Sequence, residues 1–177
     1  MNKKLKLWEL NRKTKAEFRA QKKFPLVVVL DDIRSLNNIG SFFRTGDAFN
    51  IEKIFLCGIT AVPPHRDIHK TALGATDTVD WEYNKQTLDC VRDLKKQGYE
   101  VCVIEQTSET TLLQEVAQLA IKPVAVIFGN EVNGVAQEVI DEADRIIEIP
   151  QFGTKHSLNV SVCAGIVMWE FCKKHIE

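Results

Sequence analysis

The feature that most constrains this chain is a recurring alternation of short, branched apolar runs with longer segments of helical period. "LVVVL" (Leu26–Leu30) has no polar face at all, as expected of a strand buried on both sides. Further runs follow as "KIFLCG", "EVCVIE", "PVAVIF" and "RIIEIP", with "TVDWEY" a weaker member. Between them lie helical patterns from about Gly40 to Phe49, in "HKTALGA", from Lys85 to Gln97, and in "TLLQEVAQLA" and "AQEVIDEA", with a last helix over Asn159–His175. Six strands alternating with helices predict an α/β fold, a mostly parallel six-stranded sheet flanked by helices. Ligands of such sheets bind outside the carboxyl ends of the strands, so the loops after Leu30, Gly58, Ile104, Phe128 and Ile149 hold the candidate site.

A chain of 177 residues with no internal repeat or linker fits one such domain, 25–177, preceded by a basic helical extension, 1–24. Thr14 and Glu17 have the spacing of a capping box in that extension. Residues 1–25 carry nine Lys/Arg against two Glu, whereas the remainder is acidic and the whole chain has a net charge of −1. This asymmetry suits either a solvated face or an arm that touches phosphates without reading sequence. No apolar run reaches the 18 or so residues of a membrane span, and no secretory apolar block opens the chain, so no membrane partner is expected. Five cysteines without CxxC spacing point to a reducing, cytoplasmic setting rather than to disulfides or zinc.

No GxGxxG follows the first strand and no GxxxxGK[ST] occurs, so the usual dinucleotide and triphosphate cradles are missing. Three other loops are polar beyond what turns require. In "NNIGSFFRT", Asn37 or Asn38 could cap the next helix, Gly40 could admit a ligand to the backbone, and Arg44 stands among phenylalanines. That arginine either snorkels or presents its planar fork to a phosphate. In "FGNEVNGV", Gly129 ends a strand, Asn133-Gly134 signals a turn, and Glu131 sits at the ligand edge. In "IPQFGTKHSLNVSV", Lys155, His156, Ser157 and Asn159 crowd the start of the final helix, more than one cap requires. That helix is apolar around most of its girth, as a core helix or a subunit interface would be.

Taken in order, these three motifs resemble the signatures of the SpoU/TrmH family, AdoMet-dependent RNA ribose 2′-O-methyltransferases of the SPOUT class. The similarity runs from about Pro25 to Glu170, and "HKTALGAT" resembles a further family segment. The resemblance implies a C-terminal deep trefoil knot, S-adenosyl-L-methionine as cofactor, tRNA or rRNA as partner, and an obligate homodimer with a shared site. By motif position it makes Arg44 the family's central catalytic arginine, often proposed as the base; because a guanidinium keeps its proton at neutral pH, the alternative role is to grip the phosphate and stabilise the developing alkoxide. Asn38 would orient Arg44 or the phosphate, Glu131 would fix Arg44 or its partner chain, and Ser157 and Asn159 would complete the catalytic pocket. Glu105, Gly129, Ile149 and Leu158 match cofactor-binding positions, with Gln151 in the same loop. Motif two lacks the glycine that often follows the glutamate, and Ala72 replaces a frequent serine; neither change removes a catalytic group.

Three alternatives remain open on the residues alone. One is an RNA-binding module of the same fold without turnover. Another is a receiver-like phosphoprotein using Asp31-Asp32, which lacks a suitable aspartate on the third strand. His65 and His69 have the i, i+4 spacing of metal ligands but no third ligand; with Arg66 and Lys70 interleaved, "PPHRDIHK" reads better as a basic, substrate-facing patch.

Overall fold

A computed structural model describes residues 2–10, 12–116, 122–155 and 157–175. The strands are β1 (Phe24–Asp31), β2 (Ile51–Cys57), β3 (Asp80–Asn84), β4 (Glu100–Ile104), β5 (Thr111–Leu112), β6 (Val124–Phe128) and β7 (Arg145–Glu148). The helices are α1 (Lys15–Ala20), α2 (Leu36–Ala48), α3 (Arg66–Ala72), α4 (Thr87–Lys96), α5 (Leu113–Val116), α6 (Gln137–Asp141) and α7 (Val160–Cys172). All strand pairs are parallel, in the order β3-β2-β1-β6-β4-β7-β5.

Among the described residues the sheet has seven strands rather than six. The extra one, β5, lies inside "TLLQEVAQLA", where the apolar spacing predicts only helix; Thr111 and Leu112 pair with Ile147 and Glu148 through the backbone, which side-chain pattern does not encode. Residues 117–121 of that segment lie outside the described ones. The helical reading of 1–24 is also corrected. Among the described residues of that segment only a 3-10 turn at Leu7–Glu9 and α1 form, although Thr14 and Glu17 do make the capping box. Phe24 then opens β1, with Pro25 as its second residue.

Alternate residues of β1 divide the core. Leu26, Val28 and Leu30 face α2, α3 and α7, whereas Val27 and Val29 join Val91, Leu94 and Val139 on the opposite side. Both layers are fully buried, which explains why β1 and β6 lack polar alternation.

Helix α2 starts earlier than its pattern suggests. Ser35, not Asn37 or Asn38, is the N-cap, its hydroxyl accepting from the Asn38 N–H. Gly40 serves helix packing rather than ligand approach. A Cβ there would fall 2.0 Å from Thr71 Oγ1 and 2.3 Å from the Ile68 carbonyl, so α2 and α3 touch backbone to backbone. Asp31 is buried, accepting from Thr87 Oγ1 and the Ala136 N–H, and Asp32 accepts from the Ile59 N–H. Both acidic side chains are thus committed to holding loops together. Among the described residues, no helix is long and apolar enough to cross a membrane.

Candidate active site

Three neighbouring strands, β4, β6 and β7, deliver their C-terminal loops to one cavity of about 440 Å³. It is lined by Glu105 after β4, by Gly129 and Glu131 after β6, and by Ile149, Gln151, Ser157, Leu158 and Asn159 after β7. The volume lies within the roughly 300–1,000 Å³ of small-molecule sites. Of the ten residues singled out by motif position, eight therefore meet here. Asn38 reaches it through hydrogen bonds, and Arg44 does not line it.

The loop after β6 is shaped by its own backbone. Asn130 and Gly134 exchange N–H···O bonds of 3.0 and 2.9 Å, closing a tight loop. The Asn130 carboxamide oxygen accepts from the Val132 and Asn133 N–H groups, while its amide donates to the Asp32 carbonyl at 2.7 Å. A Cβ on Gly129 would lie 2.2 Å from Gly134 C and Val135 N, so no other residue fits that approach. Gly134 has φ +68°, and its missing side chain leaves room for the Glu105 carboxylate, which accepts from the Val135 and Gln106 N–H groups.

Glu131 does not contact Arg44 in this chain, contrary to one expected role. Its carboxylate accepts from the N–H groups of Arg34 (3.0 Å) and Ser35 (3.1 Å) and from Asn38 Nδ2 (3.0 Å), anchoring the start of α2. Burial alone would raise its pKa. The Arg34 N–H, its own backbone N–H, the Asn38 amide and the Ser35 N–H outweigh that, leaving the carboxyl below its ordinary range. Asn38 Oδ1 in turn accepts from Asn159 Nδ2 at 3.3 Å. One continuous chain of polar contacts, Glu131–Asn38–Asn159, thus joins all three motifs. Asn159 is also the N-cap of α7, its Oδ1 accepting from the N–H groups of Ser161 and Val162; Ser157 leaves that cap to it. His156 lies outside the described residues.

Arg44 sits on the exposed stripe of α2 with Asn37 and Ser41, at i, i+4 and i+7, and its guanidinium has no partner among the described residues. The sequence reading missed Gln106, Asn130 and Cys163 among the cavity's walls. The Asn130 signal was present, an Asn directly before an acidic turn. Cys163 gave none: burial, then the Glu105 charge, pushes its thiol to about 11, so it is a neutral wall rather than a nucleophile near neutral pH.

Beyond the cavity, α7 exposes Val162 (53%), Ile166 (40%) and Trp169 (49%) at i, i+4 and i+7, an uncovered apolar stripe. His65 and His69 are each used locally. Nδ1 of His65 accepts from the Asp67 N–H, capping α3, and Nδ1 of His69 meets Thr76 Oγ1 at 3.3 Å.

A model of the SpoU rRNA Methylase family matches residues 25–169. The chain is 31% identical over 152 residues to the 23S rRNA (guanosine-2'-O-)-methyltransferase RlmB of Nitrosomonas europaea, a match covering 86% of this chain but only 57% of that relative. Among solved structures, a TrmH/SpoU tRNA modifying enzyme of A. aeolicus superposes with a TM-score of 0.78 at 25% identity, over 89% of this chain and 78% of the other. An AdoMet-bound rRNA methyltransferase from Sinorhizobium meliloti gives 0.80 at 26% identity, over 90% and 60%.

Proposed function

The chain belongs to the SpoU rRNA methylase family, and on that premise we propose that it transfers a methyl group from S-adenosyl-L-methionine to a ribose 2′-hydroxyl of tRNA or rRNA. The observation that carries this reading is the meeting of Glu105, Gly129, Ile149, Gln151 and Leu158 around the same cavity as Glu131, Ser157 and Asn159.

The residues present fit the cofactor. Ile149, Leu158 and the neutral Cys163 provide apolar wall, Gly129 and Gly134 leave space that a Cβ would fill, and Glu105 offers a carboxylate for hydroxyl or amine donors. S-adenosyl-L-methionine, when bound, supplies a methyl group already activated by its sulfonium, so no metal is required. The chain's own task is to hold a ribose oxygen in line and stabilise the charge it develops. Such positioning contributes up to about 7–11 kcal/mol in favourable cases.

Arg44 is the cation for this task. A guanidinium keeps its proton at neutral pH, so its role is to grip the phosphate beside the target ribose and stabilise the alkoxide. Asn38 and Glu131 fix the helix that presents it, and Ser157 and Asn159 close the pocket on the substrate. Because Arg44 lies outside its own chain's cavity, the site is completed by a second copy docked on Val162, Ile166 and Trp169, bringing the partner's cavity to this arginine. The deep trefoil knot of the family belongs to the same proposal. Its support is that the loop after β7, separated from β1 by β6 and β4, returns to α2 through the Asn159–Asn38 hydrogen bond.

The test is transfer of tritium from labelled S-adenosyl-L-methionine into tRNA or rRNA, with Arg44→Ala as the key variant. The expected result is incorporation that this substitution nearly abolishes. Incorporation unchanged by Arg44→Ala refutes the assigned role, and RNA binding without any cofactor binding by calorimetry refutes the enzyme.

A further inference from the structure

We propose that the exposed face of α3, through Arg66 and Lys70 and together with Arg34, holds the phosphodiester backbone of the RNA that flanks the methylated nucleotide. This rests on the methyl-transfer reading above and adds a track leading away from Arg44.

The first observation is where cations lack partners. On and around α4, Arg92, Lys95 and Lys96 are each within 4.0 Å of a carboxylate, as are Lys53 and Arg145 elsewhere. Arg34, Arg44, Arg66 and Lys70 have none, and their side chains make no hydrogen bond among the described residues. Among the described residues Lys85, Lys122 and Lys155 are also unpaired but stand singly on separate loops, while Lys4, Arg12 and Lys22 are unpaired within the basic N-terminal segment. Along the loop after β1, α2 and α3, four unpaired cations share adjoining elements next to the candidate site. Asp67 is the one acid on α3, and it forms no ion pair.

The second observation is that the elements carrying these cations are joined by direct contacts. Thr71 Oγ1 donates to the Asn37 carbonyl at 3.0 Å, and the Gly40 contact leaves no slack between α2 and α3. The loop that carries Arg34 and the loop that leads to α3 are tied by buried Thr60, whose hydroxyl accepts from the Ile33 N–H at 2.9 Å and donates to the Leu30 carbonyl at 3.2 Å. Ile68 and Ala72 are buried, so Arg66 and Lys70, at i and i+4, project from the opposite side. Unpaired cations on joined elements avoid a desolvated partner in the free protein and match a polyanion by position, not by base identity.

The third observation is continuity. The 3-10 turn Ala75–Asp77 follows α3, and there Asp77 holds Lys15 by its carboxylate and Arg19 by its carbonyl. The basic N-terminal segment is therefore rooted where α3 ends, and the track runs from Arg44 past α3 toward that segment.

The test is the salt dependence of RNA affinity for Arg66→Ala/Lys70→Ala, measured on the 177-residue chain by anisotropy with a bound tRNA or rRNA fragment. Each lost contact to single-stranded phosphate flattens the log K against log[salt] slope by about 0.7, so the double variant is expected to be shallower by about 1.4. KM for RNA should rise while affinity for S-adenosyl-L-methionine stays unchanged by calorimetry, and Arg66→Lys should restore most of the slope. Arg92→Ala/Lys96→Ala, which removes two paired cations on α4, should leave the slope alone. An unchanged slope in Arg66→Ala/Lys70→Ala, or an equal loss in the α4 control, overturns the proposal. If the wild-type protein transfers no methyl group to any RNA, the parent reading fails instead, and the two failures are read from different assays.

Discussion

Glu131→Gln isolates the anchor at the start of α2. The carboxylate accepts three hydrogen bonds from donors that all lie at 3.0–3.1 Å. Glutamine offers one carbonyl oxygen and turns an amide toward at least one of those donors. Bonds to a charged acceptor are worth about 1.5–3 kcal/mol and neutral ones about 0.5–1.5, so each weakened bond costs about 1 kcal/mol. Loss of a negative charge at a helix N-terminus adds about 0.3–1 kcal/mol. Because Glu131 is solvent-exposed, the lower part of that range applies, and the expected loss is about 1–2 kcal/mol. For a chain of this size that lowers Tm by about 2–8 °C.

The pH dependence carries a sign. The folded-state pKa of Glu131 is depressed, so its stabilisation is present above the unfolded value of about 4.3 and is lost as pH falls through the folded value. Denaturant titrations of both proteins at one fixed concentration, from pH 7 downward, should show a constant gap to about pH 5 that then closes. No gap at pH 7, or a gap that persists undiminished below the carboxylate range, refutes the anchoring role.

Gly40→Ala sets two effects against each other. Helix propensity alone favours alanine by about 1 kcal/mol, whereas overpacking costs about 1–3 kcal/mol. The contacts at 2.0 and 2.3 Å make the steric effect dominant, and chemical denaturation should show net destabilisation. Thr71→Ala in the same chain should recover only part of it, since the Ile68 carbonyl remains; a stabilised Gly40→Ala protein would show that α2 and α3 are not in close contact. If the proposed dimer docks through α7, Ile166→Glu should convert it to a monomer in sedimentation with its circular dichroism unchanged; a wild-type monomer or an unaltered mass in the variant would remove α7 from that role.

The strands that the sequence shows best are those with the least ambiguity of environment. β1 and β6 are buried on both faces, so every residue of "VVV" and "VAVIF" is apolar. β5 is invisible because two residues at a sheet edge pair by backbone alone. The start of α2 is hidden because Ser35, Asn37 and Asn38 are all good caps, and the choice depends on Glu131, 96 residues away from Ser35. Gly40 illustrates the same limit, as one glycine can serve a ligand or a neighbouring helix and only the position of Thr71 decides. The cavity positions are legible through motif order, not through their own chemistry: Ile149 and Leu158 are aliphatic, and nothing local marks them as ligand contacts.

Asn159 carries an obligation that few side chains can meet. Its oxygen terminates a helix while its nitrogen reaches across to a neighbouring motif. Aspartate would satisfy the first duty and fail the second, because a carboxylate has nothing to donate. Serine would cap from a shorter arm. Folding of the last helix and assembly of the pocket are therefore welded into a single carboxamide, and this position has almost no freedom to drift in one respect without being lost in the other.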